Sequence, residues 1–259
     1  MIVRKIINAA MPYLKERTIA DVVVGISLVA VRLDNGAVGV TYVLREELGQ
    51  GCSIFPYVGQ LVGQRAATVA QWTAGEEDSL KRSLGLAVLL GASMGQSLED
   101  SETAGQPFGV DFQAGDLVGM VGYIRPVEKM IRPRVRDFFI FDQGIELRGD
   151  LGEVRPMEEQ ATLLPQCDVV FLSGTTVLNG TLESLLEMCS GAREIILIGA
   201  STPMYPEAFK DTRVTVLAGS WWKPDRWEGI ARKISRAGGI AHLRDDVIKK
   251  SLRIAKKAP

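Results

Sequence analysis

The chain has 259 residues, 46% hydrophobic, 24% charged and 7% aromatic, with 30 basic against 31 acidic side chains for a formal charge of −1. So much apolar side chain argues against disorder, and so even a charge balance argues against phosphate-driven nucleic-acid binding. At about 150 residues per domain, the length holds one large domain or two modest ones.

The opening stretch, MIVRKIINAAMPYLKER, is too charged for the apolar core of a signal peptide. Charge-poor stretches such as 48–64 are broken by Gly, Pro and Gln, so no membrane-spanning helix is expected. Within the opening stretch Val3, Ile7, Ala10 and Leu14 share one helical face, with Arg4, Lys5 and Glu16 off it. Next, DVVVGISLVAVRL and AVGVTYVL flank Asn35-Gly36, the preferred two-residue hairpin turn. A turn closing there sets Leu33 opposite Val38, Val31 opposite Val40 and Val29 opposite Tyr42, with six apolar side chains on one face. A glycine-bearing loop, GQGCSIFPYVG, leads to helical stretches over 61–72 and 79–90. The polar segment SLEDSETAGQPFG then divides the chain near residue 105 into a 1–105 α+β unit and a 106–259 unit.

From Asp111 onward short apolar runs alternate with helical stretches. Strands are predicted at 117–122, 138–142, 168–173, 194–199 and 214–219. Each is continuously apolar, as when helices cover both faces of a sheet. Helices are predicted at 126–131, 158–166, 181–189 and 225–237, with a shorter segment near 206–210. Asp225 with Glu228 forms a candidate capping pair, and Gly238-Gly239 ends the last helix. This rhythm predicts an α/β, doubly wound parallel sheet. The tail, 244–259, carries six basic and two acidic residues and reads as a basic-faced surface helix.

In such a sheet ligands gather past the carboxyl ends of the strands. The candidate ligand-binding residues are therefore Gly122, Tyr123 and Arg125 after the first strand, and Asp142 after the second. Ser173, Gly174, Thr175, Thr176 and Asn179 follow the third, Gly199, Ser201 and Thr202 the fourth, and Gly219 the fifth. The stretch from Ser173 to Thr181 packs four hydroxyls, one amide and two glycines into nine residues, suited to an anionic or oxygen-rich ligand. Its plainer alternative is a turn plus a helix cap by Asn179 or Thr181. Asp142 is equally readable as a ribose-binding acid or as a turn residue before Gln143-Gly144. The pattern Gly119-x-x-Gly122 lacks the pyrophosphate cradle of an ordinary dinucleotide site.

Arg125, Lys129, Arg132, Arg134 and Arg136 read first as a solvated face, with Arg125 near enough to a strand end to clamp an anion. Trp221, Trp222 and Trp227 read first as packing. Glu46 and Glu47, near Cys52, have no evident partner for acid–base work. One histidine, His242, and three scattered cysteines at 52, 167 and 189 support neither a zinc-type site nor a disulfide framework, so a reduced, cytoplasmic protein is expected. A P-loop is missing, and the surroundings of His242 show no G-x-S-x-G nucleophile turn.

The runs VGMVGYIRP, DVVFLSGTTVLNGTLESLL, IILIGASTPMYPEAF and VLAGSWWKPD resemble a heavy-metal chelation family, and the resemblance covers essentially the whole chain. It implies an enolase N-terminal-like α+β domain followed by a Rossmann-like domain, with a ligand cleft between them. Ala200 stands where the family pattern expects proline, and Gly91 where it expects asparagine. The resemblance also implies a link to metal chelates. With so few Cys and His, the sensible cargo is an organic chelator or pterin-like compound rather than a bare ion. Three readings follow: an enzyme performing condensation, hydrolysis or group transfer on such a ligand, a methyltransferase-like enzyme binding S-adenosylmethionine through Asp142, or a non-catalytic chelate-binding protein. The expected partner is a small molecule, with neither nucleic acid nor membrane. The cofactor, the catalytic residue and any homo-oligomeric state are left open by the sequence.

Overall fold

The computed structural model describes residues 1–48, 55–75, 78–144 and 154–255. The apolar stripe near the start forms α1 (Ile2–Leu14), burying Ile6, Ile7, Ala10 and Leu14. An antiparallel three-stranded sheet follows, built in chain order from β1 (Ile19–Val24), β2 (Leu28–Leu33) and β3 (Val38–Tyr42). The helix expected over 61–72 is only α2 (Ala66–Ala70), extended by a 3-10 turn at Gln71–Ala74. α3 (Ser79–Ala92) starts where Asp78 accepts the backbone N–H groups of Leu80 and Lys81.

The hairpin forms at the expected place but in a different register. Leu28 lies opposite Tyr42, Ala30 opposite Val40 and Arg32 opposite Val38, one residue away from the expected pairing. The loop has three residues rather than two: Leu33 N–H donates to Ala37, and Gly36 takes the left-handed backbone at φ +85°. A first turn closed by a left-handed residue is the usual three-residue solution. A one-residue slip exchanges the faces of a strand, which is tolerable here because both faces are buried. Val29, Val31 and Leu33 join the cluster containing α1, α2 and α3. Leu28, Ala30, Val38 and Val40 pack on Trp222, Trp227, Ile230 and Ile234.

The second sheet contains β4 (Leu117–Val121), β5 (Asp137–Phe141), β6 (Val169–Ser173), β7 (Glu194–Ile198), β8 (Val216–Trp222) and β9 (Val247–Arg253). Its order is β5-β4-β6-β7-β8-β9, the first five parallel as expected. Helices α4 (Arg125–Ile131), α5 (Gln160–Leu163), α6 (Thr175–Leu178), α7 (Leu182–Met188) and α8 (Trp227–Ser235) complete the chain. Val127 and Ile131 of α4 cover one face, whereas Leu182, Leu185 and Leu186 of α7 cover the other, giving the doubly wound arrangement. The segment expected as a basic surface helix is instead β9, antiparallel to β8 from Val247 opposite Trp222 to Arg253 opposite Val216. The edge of β8 offers a row of unpaired backbone groups, and satisfying them outweighs a charge pattern that any exposed element accommodates.

Asp225 does not cap α8. The helix is preceded by a 3-10 turn at Pro224–Arg226, and Asp225 pairs with Arg226 at 3.5 Å. At the other end Ala237 N–H donates to Ile234 and Gly238 N–H to Lys233, the two bonds of a Schellman motif. Its left-handed position is held by Ala237 at φ +61°, not by a glycine. An L-residue there costs about 1–2 kcal/mol, whereas a glycine costs about 0.4–1 kcal/mol through its unfolded-state freedom. Ala237→Gly is therefore expected to stabilise the fold and raise Tm by about 2 °C in thermal unfolding. An unchanged or lower Tm contradicts the strain assignment.

Candidate functional site

The strand order reverses between β4 and β6, since the chain moves outward from β4 to β5 and then crosses back to β6. Ligands in open α/β sheets bind at such a point. Here Gly122, at φ +86°, follows β4 directly, and a Cβ at this position would lie 2.6 Å from the Ser173 Cβ. The missing side chain lets the loop after β4 bend away over the end of β6. Its backbone is held from the other side: Gly122 N–H donates to Phe141, and Tyr123 N–H donates to Asp142 Oδ2 at 2.7 Å.

Asp142 is 7% exposed, and its second oxygen accepts Gly144 N–H at 2.8 Å. The carboxylate thus ties the loops after β4 and β5 together, as in the turn reading. Tyr123 donates its hydroxyl to Glu128 at 3.1 Å. Burial pushes the Tyr123 pKa up, the Glu128 hydrogen bond and charge add to this, and nearby Arg125 and Arg132 oppose it. Arg125 is exposed at the first position of α4. Further along, Arg132 bonds Glu128 at 2.7 Å and Arg134 reaches the Gly105 carbonyl at 3.3 Å, so those two brace the surface.

Past β6, the Ser173 and Thr175 hydroxyls lie 2.8 Å apart and both side chains are partly exposed. The Thr176 hydroxyl donates to the Ser173 carbonyl at 2.7 Å and is buried. Asn179 is exposed, with its Oδ1 accepting from the Thr181 N–H and hydroxyl at 3.2 and 2.7 Å. That arrangement is a turn leading into α7; neither Asn179 nor Thr181 caps the helix with its side chain. Gly174 permits a close backbone approach: its absent Cβ would sit 2.5 Å from Thr202 N.

The loop after β7 behaves differently. Gly199, at φ +117°, donates its N–H to Ala218, and Ser201, 1% exposed, places its hydroxyl 2.7 Å from that of Thr41. Thr202 is fully buried, and Gly219 is pressed against Met204 and the Thr202 carbonyl. Two further bonds fasten this loop to the first half: Gln96 Nε2 to the Met204 carbonyl at 2.7 Å, and the Tyr205 hydroxyl to the Leu89 carbonyl at 2.6 Å. The tryptophans join the same seam, Trp221 Nε1 donating to Ser93 at 3.0 Å and Trp227 Nε1 to Asp21 at 2.9 Å. The candidates therefore fall into two groups. Gly122, Tyr123, Ser173 and Thr175 are half-buried at the ends of β4 and β6, with Arg125 exposed near Tyr123, while Ser201, Thr202 and Gly219 are enclosed. Thr41, Leu89 and Gln96, which fasten the loop, carry no motif that sequence reasoning reads, because their role depends on a contact between distant segments.

Among the described residues no three His, Cys, Asp or Glu side chains converge to hold an ion. Cys167 and Cys189 are buried, and burial pushes both thiols up to about 12, so they are protonated and apolar at neutral pH. His242 Nδ1 faces the Gly239 backbone at the surface. Glu47 pairs with Arg82, and Glu46 is exposed. Cys52 lies outside the described residues. These donors do not fit a resident soft metal ion.

The fold is that of a two-sheet α/β protein with a Rossmann-like, parallel-rich second sheet. A model of the family described as "putative heavy-metal chelation", DUF364, matches residues 106–253, and a second model with that description, DUF4213, matches residues 7–92. The chain belongs to this heavy-metal chelation family. It is similar to a DUF364 protein of unknown function from Pyrococcus horikoshii, with TM-score 0.79 and 19% identity over 98% of this chain and 100% of the other. A DUF364 protein of unknown function from Desulfitobacterium hafniense gives TM-score 0.74 and 23% identity over 96% and 97%. An uncharacterized protein of Methanocaldococcus jannaschii is 35% identical over 102 residues, 39% of either chain. The aligned part thus spans well under half of that relative's length.

The raised thiol pKa values set a pH dependence. The unfolded thiols ionise near 9 and the folded ones near 12, so the folded state binds more protons in that window. Stability is accordingly expected to fall as pH rises from 9 toward 12. In the Cys167→Ala/Cys189→Ala double variant, denaturant titrations across this range should show a shallower fall. An equal slope contradicts the assignment.

Proposed function

We propose that the protein binds a small oxygen- and nitrogen-rich ligand, a metal chelate or its organic chelator, at the carboxyl ends of β4 and β6. The observation carrying this reading is the pair of partly exposed hydroxyls, Ser173 and Thr175, beside the Gly122 turn at the point of strand-order reversal. Hydroxyls, peptide N–H groups and Arg125 suit the oxygens of a chelate, and the chelate rather than the chain ligates the metal. Family membership supports the metal-related class of ligand. The geometry favours binding in this accessible crevice over binding beside Ser201 and Thr202, where the seam is filled.

The methyltransferase-like reading has weaker support. Both oxygens of Asp142 hold backbone N–H groups of neighbouring loops, and the sequence around Gly122 lacks a pyrophosphate cradle. Chemistry on the ligand, whether condensation, hydrolysis or group transfer, remains a further step of the same proposal, read out as a released product.

Native mass spectrometry of gently purified protein tests the binding. The expected spectrum carries an organic mass, with or without metal, that disappears on denaturation. It is expected to fall at least tenfold in Gly122→Val, whose side chain collides with Ser173. A stoichiometric bare metal ion, or retained S-adenosylmethionine, overturns the reading.

A further inference from the structure

The outward face of α4 is cationic along its length. Val127 and Ile131 are buried against the sheet, which leaves Arg125, Lys129 and Met130 exposed on the other side. The chain continues through a 3-10 turn, Arg132–Arg134, to exposed Arg136. Residues 125–137 hold five cations against two carboxylates, Glu128 and Asp137, in a chain whose formal charge is −1. Two of the cations are engaged, Arg132 with Glu128 and Arg134 with the Gly105 carbonyl. Arg125, Lys129 and Arg136 make neither an ion pair nor a side-chain hydrogen bond among the described residues.

Two of these placements work against the helix itself. Arg125 occupies the first position of α4, the end at which the aligned peptide dipoles are positive. Lys129 follows four residues on, where a like charge is repelled. Departures from local preference of this kind are found at functional sites. Arg125 stands four residues past the end of β4, and the charge of this face is felt there. Burial and Glu128 raise the Tyr123 pKa, and Arg125 and Arg132 both oppose that rise. Asp142, the carboxylate past β5, is buried with both oxygens on backbone N–H groups. The opposite face of the sheet differs in sign, since α7 exposes Glu183 and Glu187 there.

We propose that the cationic face of α4 is the approach surface for the ligand and that the ligand is a net anion, which Lys129 and Arg136 draw toward Arg125, Ser173 and Thr175 without touching it once bound. The inference rests on the reading given under Proposed function and narrows its ligand from oxygen-rich to negatively charged. A surface of one sign beside a site raises the local concentration and the association rate of an oppositely charged ligand. Screening limits that reach to about 10 Å at 0.1 M salt and about 30 Å at 0.01 M. At about 1.5 Å of rise per residue, Lys129 lies about 6 Å along the helix from Arg125, inside the shorter range. Arg136, farther along, contributes at low salt.

Tris(oxalato)chromate(III) is the probe, an exchange-inert trianion that presents only carboxylate oxygens and whose paramagnetism broadens nearby amide NMR signals. With the full chain at low salt, it is expected to broaden the amides of α4 and those of Ser173 and Thr175. The tris(ethylenediamine)chromium(III) trication should leave both sets unaffected. Lys129→Glu/Arg136→Glu is expected to lower the association constant read at Ser173 and Thr175 at least fivefold, and added salt should lower the wild-type value. Lys15→Glu/Arg236→Glu reverses two exposed cations elsewhere, giving the same net charge, and should stay within about twofold of wild type. An equal loss in that variant overturns the approach surface. An unchanged constant in Lys129→Glu/Arg136→Glu also overturns it, while the site at Ser173 and Thr175 stands. Broadening confined to α4, or none at all, overturns the proposed site and the approach to it together.

Discussion

The loop after β7 is clamped to the first half of the chain, and the shape of the site depends on that clamp. Ser201 meets Thr41, Gln96 holds the Met204 carbonyl, and Tyr205 holds the Leu89 carbonyl. A net contribution of about 1 kcal/mol per bond is modest, but a buried group left unpaired costs about 1–3 kcal/mol. Separation of the halves would expose several such groups together with the apolar seam around Trp222 and Trp227. The clamp thereby closes the strand ends of β7 and leaves those of β4 and β6 accessible. The first sheet thus acts as a wall over the loop after β7 and the end of β8.

Glycines make that arrangement possible at two places. Gly174 lets the turn after β6 lie on the Ser201–Thr202 peptide, and Gly122 lets the turn after β4 lie on Ser173. The first contact joins the turn after β6 to the clamped loop, and the second packs the turn after β4 against the end of β6. Asp142 then fixes the geometry by accepting an N–H from each flanking loop.

Much of the fold was legible because its signals are local. Continuous apolar runs marked all five parallel strands to within a few residues, and the Asn35-Gly36 dipeptide marked the hairpin. The register was not legible, because it rests on Leu28, Ala30, Val38 and Val40 packing on residues almost two hundred positions away. β9 was missed for the same reason: its pairing partner, not its own charge pattern, makes it a strand. In the site, hydroxyl-rich SGTT was visible as a cluster, but composition alone could not separate exposed Ser173 and Thr175 from enclosed Ser201 and Thr202.

The proposed function gives the family's heavy-metal connection a specific physical form. At the proposed site stand the Ser173 and Thr175 hydroxyls and Arg125 rather than thiolates and imidazoles, a donor set suited to the outside of a chelate. Anomalous X-ray diffraction from crystals containing an exchange-inert cobalt(III)–EDTA complex would test this most directly. The account predicts a cobalt peak past the ends of β4 and β6, with chelate carboxylates at the Ser173 and Thr175 hydroxyls and no direct protein–cobalt bond. A peak coordinated by protein side chains at about 2 Å, or one confined to the region around Ser201, would contradict it.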